Sequence, residues 1–228
     1  AIHGLNIVTP AGYVWFAFLG AAGAGSLVYF VARAGSGGIT PVKLALAGAV
    51  VTALLSAWTS TLLLLDEETL DEARFWLAGS LVGRGTEEMR LLTPLIAVAL
   101  VGALLIGGAL NAFALGEERA ASLGQRIGTF RFFAGSISIS LAASAVAIAG
   151  PVAFIGLAVP HIARSLVGPD YRWITVLSML IGSSLLLGAD IVGRVVVSPR
   201  ELQVGIVTAL IGAPFLIYLV RSRKLAEL

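Results

Sequence analysis

Six apolar stretches, at residues 11–32, 44–65, 91–115, 132–160, 173–189 and 202–220, limit what this chain can become. A helix needs about 20 such residues to cross a hydrocarbon core about 30 Å thick, whereas a spanning β-strand needs only about 9–11. The stretches are too long for strands and lack the strict alternation of a membrane barrel. Inside lipid every backbone N–H and C=O must find its partner within the protein, which leaves helices. Composition agrees: 58% of residues are hydrophobic and 12% charged, against about 45–50% and about 25% in soluble domains. The expectation is an all-α membrane protein, a polytopic helical bundle in which residues 1–228 form a single transmembrane domain.

The stretch 132–160 exceeds one crossing and contains Gly150-Pro151. Proline removes a backbone donor and disfavours helix at the preceding residue. We therefore divide it into a span near 130–149 and a shorter, broken segment near 152–167, which makes about seven membrane segments. Seven crossings place Arg33, Lys43, Arg119, Arg126, Arg131, Arg164, Arg172, Arg221, Arg223 and Lys224 on one side, and Arg74, Arg84, Arg90, Arg194 and Arg200 on the other. Basic residues concentrate in cytoplasmic loops, so the carboxyl terminus is expected in the cytoplasm and Ala1 outside. The acids Asp66, Glu67, Glu68, Asp71, Glu72, Glu87, Glu88 and Glu201 fall on the outer side.

The outer loop 66–90 is expected to hold a short interfacial helix, with Asp66 as its cap and Trp76 at the membrane surface. Trp58 and Trp173 suit the same interfacial role. Small residues recur at four-residue spacing in Ala45, Ala49, Ala53 and Ala57, and again in Gly205, Ala209 and Ala213. In lipid such ridges let helix backbones approach closely, so they predict packing faces. No signal peptide is evident, and the start at Ala1 without methionine points to a processed or truncated chain.

Three features can carry function. The segment 150–164 holds Gly150, Pro151, Pro160, His161 and Arg164. Such a break is tolerated where backbone is buried in protein or lines a watery cavity; a kinked span with His161 and Arg164 reaching the interface is the simpler explanation and the one the residues alone favour. Asp190 and Arg194 stand four apart and can pair on one helix face; ionisable groups in a span mark function, although Arg194 can also simply end its helix. The loop 114–124, with Leu115, Gly116, Glu117, Ala121, Leu123 and Gly124, is compact and bounded by glycine. It suits either a short docking helix for a soluble partner or an ordinary solvated turn.

Enzymatic function is not supported. The sequence has no Gly-rich phosphate loop ending in Lys and Ser/Thr. It has no cysteine, and its histidines are His3 and His161 alone, too few for a zinc site. The formal net charge of +2 gives no reason to expect a nucleic-acid partner. Any nucleotide hydrolysis that powers this chain belongs to another subunit.

Three blocks in order then resemble one family closely: GPVAFIGLAVPHIAR at 150–164, LLLGADIVGR at 185–194, and PRELQVGIVTALIGAPF at 199–215. LAG at 46–48, FWLAGS at 75–80 and NAFALGE at 111–117 agree. The resemblance is to the FecCD/BtuC-like permeases, the transmembrane subunits of ABC importers for iron-siderophores, haem or vitamin B12. It implies a type II ABC importer permease fold with ten membrane helices, of which this chain corresponds to the carboxyl-terminal part without the first three. It implies a translocation pathway shared with a second permease subunit, identical or not. It also implies a cytoplasmic cassette ATPase that binds ATP-Mg, an extracytoplasmic substrate-binding protein, and a bacterial cytoplasmic membrane. By the same resemblance, residues 114–126 dock the ATPase, Arg194 pairs with acids of the binding protein, and Thr40 begins a gate-lining helix that includes Ser56 and Ser60. No cofactor is expected on this chain itself. The competing functions are an ion-coupled secondary transporter, which calls for midplane ionisable groups beyond Asp190, and a structural membrane subunit with no pathway of its own.

Overall fold

The computed structural model describes residues 10–34, 40–64, 73, 76–81, 86–197 and 201–221. The described elements are helices: α1 (Pro10–Arg33), α2 (Pro41–Leu64), α3 (Thr86–Leu105), α4 (Gly107–Ala114), α5 (Glu117–Ser122), α6 (Ile127–Ala149), α7 (Ile155–Val167), α8 (Tyr171–Val196) and α9 (Val204–Arg221). They form two groups. Helices α1, α3 and α6 pack on one another, with α2 laid against α1. Helices α7, α8 and α9 form the second group, which α3 and α4 join by contacting α8.

The apolar segments have unequal lengths. Trp15–Arg33, Val42–Leu64, Ile127–Ala149 and Tyr171–Val196 are long and apolar enough to cross a membrane. The stretch 91–115, read from sequence as one span, bends by 47° at Ile106, where α3 gives way to α4. Helix α7 has 13 residues, about 20 Å at 1.5 Å per residue, which is short of a full crossing. The described apolar part of α9, Val204–Phe215, is likewise short.

The break at Gly150-Pro151 is where the sequence places it: α6 stops at Ala149 and α7 starts at Ile155. Pro160, expected to break the segment too, lies inside α7. A proline six residues into a helix removes one donor, and here α7 continues to Val167. Helix α8 runs past 189, so Asp190 and Arg194 belong to its last turns rather than to a loop.

One expected packing face meets no neighbour among the described residues. Ala45, Ala49, Ala53 and Ala57 are exposed, and the buried residues of α2 are Ala47 and Val51. At 100° per residue the two sets lie on opposite sides of the helix. Small size permits close approach on any face; the neighbour decides which face is used. The ridge Gly205, Ala209, Ala213 is half-buried, beside buried Val204, Val207 and Thr208.

The expected helix in loop 66–90 rests largely on residues outside those described, including its cap Asp66; within it Ala73, Trp76 and Leu77 are helical. Trp58 and Trp173 are exposed. The Trp76 indole nitrogen is instead buried, so that ring faces the protein.

Candidate functional site

The two ends of the bundle are built differently. At one end non-helical backbone at Gly79, Ser80 and Leu202 meets the ends of α6, α8 and α9. The Ser80 N–H donates to the Ala149 carbonyl at 2.8 Å, Gly205 N–H to Gly79 at 3.2 Å, and Leu202 N–H to Gly193 at 3.1 Å. Side chains are excluded from the crossing: a Cβ on Gly205 would lie 2.2 Å from the Ala78 carbonyl oxygen, and one on Gly150 2.4 Å from that of Trp76. Beneath the crossing a core of Ala189, Val204 and Val207 takes in Leu81, Val152, Leu186 and Leu202. The end of α8 is therefore fixed to the 76–81 segment and to the start of α9.

On that fixed end sits the Asp190–Arg194 pair, whose Nε donates to Oδ2 at 2.8 Å. About half of the Arg194 side chain is exposed, while Asp190 is mostly covered. Asp190 thus holds the guanidinium at the surface with donors free for an acidic partner, a geometry suited to bidentate carboxylate recognition.

The opposite end carries α5. Leu115 and Gly116 leave α4, Gly116 adopting φ 104° and ψ 151° to turn the chain into α5. Gly124, at φ 82°, ends the loop, and Gln125 N–H closes on the Ala120 carbonyl at 3.0 Å. The acids Glu117 and Glu118 stand in the first turn, where the helix dipole favours them. Glu117 is ion-paired to Arg131 of α6, so it anchors the loop. Phe113 and Phe130 stack at 4.0 Å beside it. Ala120 is fully buried, Ala121 exposed, and Leu115 and Leu123 are 56% and 64% exposed. The result is an anchored six-residue helix with an exposed leucine on each flank.

Thr40 precedes α2, and its Oγ1 accepts the Lys43 N–H at 3.2 Å. A Thr cap followed by Pro41 in the first turn is a favoured helix start. Ser56 and Ser60 are exposed on α2; with Ala45, Ala49 and Ala53 they share the stripe facing away from Ala47 and Val51. Within α7, His161 Nδ1 lies 3.1 Å from the Leu157 carbonyl of the preceding turn. Arg164 donates to the Tyr171 hydroxyl at 3.1 Å, with its Cζ 5.3 Å from that ring's centre. The residues of the 150–164 segment are thus split between the two ends, Gly150 and Pro151 at one and Arg164 towards the other. Among the described residues no group of His, Cys, Asp or Glu is disposed to hold a metal ion.

Sequence reasoning missed the tie between α4 and α8. Asn111 Nδ2 donates to Asp170 Oδ1 at 2.7 Å, and Asn111 Oδ1 accepts the Tyr171 N–H at 2.8 Å. Asp170 also caps α8 by accepting the Arg172 N–H at 2.9 Å. These bonds, the Asn111 amide first, hold the Asp170 carboxyl below its ordinary value. The signal available was Asp170 after Gly168-Pro169, an acid poised to cap a helix.

Residues 1–222 match the model of the FecCD transport family. The chain is 45% identical over 208 residues to the ferric enterobactin transport system permease protein FepD of Escherichia coli, covering 91% of this chain and 62% of that one. It is 40% identical over 216 residues to the Fe(3+)-citrate import system permease protein YfmD of Bacillus subtilis, covering 95% and 64%. The cobalamin import system permease protein BtuC of Halobacterium salinarum is 37% identical over 213 residues, covering 93% and 57%. The chain therefore spans somewhat less than two thirds of the length of these curated relatives. A solved structure described as a metal-chelate type ABC transporter in an inward-facing conformation superposes with a TM-score of 0.79 at 29% identity, covering 93% of this chain and 72% of that one.

Proposed function

The chain belongs to the FecCD transport family, and on that premise we propose that it forms part of the membrane-spanning translocation subunit of an ATP-driven importer for iron-siderophores, with haem or cobalamin as related cargo. The observation that carries this reading is the α5 end. A six-residue helix, tethered by Glu117–Arg131 and seated on buried Ala120, is flanked by the exposed Leu115 and Leu123. Exposed leucines flanking a short, glycine-bounded helix suit a groove on a soluble protein. The partner is a cassette ATPase that binds ATP and magnesium; this chain supplies the docking helix and no hydrolytic group.

The excess of basic residues around α5 supports a cytoplasmic position for it and for the carboxyl terminus, in a bacterial cytoplasmic membrane. Arg194 then faces outward and receives an acidic patch of the substrate-binding protein. The open stripe of α2, from Ala45 to Ser60, faces the pathway and a second permease subunit, with Thr40 at its inner end. Small residues and two hydroxyls make a wall that bulky ligands can slide along without tight binding. Alternating access follows if ATP at α5 and the loaded carrier at Arg194 favour different packings of the same helices.

Co-purification of the full-length permease with its ATPase tests this. Wild type retains the ATPase through gel filtration in detergent, and Leu123→Glu, which puts a charge into the docking contact, loses most of it. Equal retention by wild type and Leu123→Glu overturns α5 as the docking helix.

A further inference from the structure

We propose that Asn111 and Asp170 are positioning residues of transport, forming the tie through which displacement of α5 reaches α8. This rests on the reading of α5 as the ATPase-docking helix.

Asn111 lies in α4, four residues before Leu115, where the chain turns towards α5. Both ends of its amide are used on one target, the start of α8: Nδ2 on Asp170 and Oδ1 on the Tyr171 N–H. The side chains are 59 residues apart in sequence. Beside them Arg172 lies on a glycine face of α4. A Cβ on Gly107 would stand 3.0 Å from Arg172 Cγ, and one on Gly108 2.8 Å from its guanidinium. The first turn of α8 is thus seated on α4 by directional bonds and by close backbone approach, which resist sliding as apolar contact does not.

The flanking elements suit transmission. Helix α4 has 8 residues and is set at 47° to α3 by the bend at Ile106, so it can turn with α5 without carrying α3. Helix α8 is continuous for 26 residues and contains no proline, a rod about 39 Å long at 1.5 Å per residue. Its far end bears Asp190 and Arg194 and is fixed to the Gly193–Leu202 crossing. The side-chain attachment of α5 itself, Glu117 to Arg131, leads instead to α6. Of these two, only the Asn111–Asp170 tie, which α5 reaches through α4, ends on the helix that carries the outer pair. Energetic coupling between distant sites travels through such bonded, stiff elements when they have two arrangements.

The test uses the assembled importer in liposomes: full-length permease, ATPase, and carrier loaded with a ferric siderophore. Two ratios are read, carrier-stimulated over unstimulated ATP hydrolysis and ferric siderophore taken up per ATP. Asn111→Ala removes both bonds of the amide. Asp170→Ser keeps a capping hydroxyl for α8 but is too short to reach Asn111. Each is expected to lower both ratios about 2- to 30-fold, the range reported for mutations along coupling networks. The double variant is expected to be no worse than the more affected single one, because the two residues act through each other. Wild-type ratios in both single variants overturn the tie, as does a double loss equal to the product of the single losses. If Asn111→Ala does not assemble, Asn111→Asp decides: it keeps the acceptor for Tyr171 but faces Asp170 with a second carboxylate, so the same loss is expected and retention overturns the tie. Wild-type importer whose ATPase does not bind, or ignores the loaded carrier, overturns the docking reading beneath it instead.

Discussion

Gly212 of α9 lies against Phe154: a Cβ built on Gly212 would stand 2.4 Å from the Phe154 Cβ and 2.8 Å from its Cγ. Phe154 is the one non-glycine residue with positive φ, at 68°, among the described residues, and it precedes α7. A left-handed phenylalanine costs about 1–3 kcal/mol, so the surroundings must enforce it. Its carbonyl starts α7 by accepting the N–H groups of Leu157 and Ala158 at 3.1 and 2.9 Å, and the missing side chain at 212 leaves room for the ring. Gly212→Ala should therefore destabilise the protein by about 1–3 kcal/mol, as overpacking does, read as a lower melting temperature in detergent. Phe154→Gly on top of Gly212→Ala should cost less than the two changes added separately, because the clash needs both side chains.

The backbone crossing near Gly205 makes a paired prediction. Gly205→Ala puts a methyl 2.2 Å from a backbone oxygen that cannot turn aside, and should lower the melting temperature. Gly23 lies inside α1 with nothing within 4 Å of its absent Cβ. Gly23→Ala should be neutral or stabilising by up to about 1 kcal/mol, the helix preference of alanine. Opposite signs in the same assay support the crossing; equal effects count against it.

Arg194→Glu removes a partly exposed guanidinium and sets a second carboxylate beside Asp190. Affinity for the substrate-binding protein should fall, most at low ionic strength where screening is weakest. The check is carrier binding to membrane-embedded permease at low and high salt. Unchanged affinity at both would separate Arg194 from docking.

Asp170 gives a pH prediction with a definite sign. Its carboxyl is held low in the fold by Asn111 and by the Arg172 amide. A depressed carboxyl contributes stability in full above its unfolded value, about 3.9 for Asp, and loses it as pH falls through the folded value. Wild type should thus exceed Asn111→Ala in stability by a constant margin at neutral pH, and the margin should shrink only as pH falls below about 4. Thermal unfolding across pH checks it; a margin that disappears near pH 6 would assign the difference to another group.

Much of the fold was legible because lipid imposes simple rules. Run length found the four long spans, while three of the seven expected segments are bent or short of a crossing; Pro151 marked the end of α6. The hydropathy run stopped short in α8 because Asp190 and Arg194 interrupt it, although their four-residue pairing continues the helix. No proline marks the bend at Ile106; its signal is the pair Gly107-Gly108 directly after it, a recognised cause of helix kinks hidden in an otherwise apolar run. The Ala45–Ala57 ridge meets no neighbour among the described residues of this chain, because spacing identifies a face but not what covers it. The α5 loop was visible as a glycine-bounded unit, whereas its anchoring by Arg131 and the Asn111–Asp170 tie depend on partners remote in sequence. Such polar pairs have no period to read.

The account needs α5 and the Arg194 end of α8 to lie in different compartments. The chain has no cysteine, so single cysteines at Leu123 and at Val196, both exposed, can be labelled with a membrane-impermeant maleimide. In intact spheroplasts Val196→Cys should react and Leu123→Cys should not; in inverted vesicles the pattern should reverse. Labelling of both positions from the same side would contradict the arrangement.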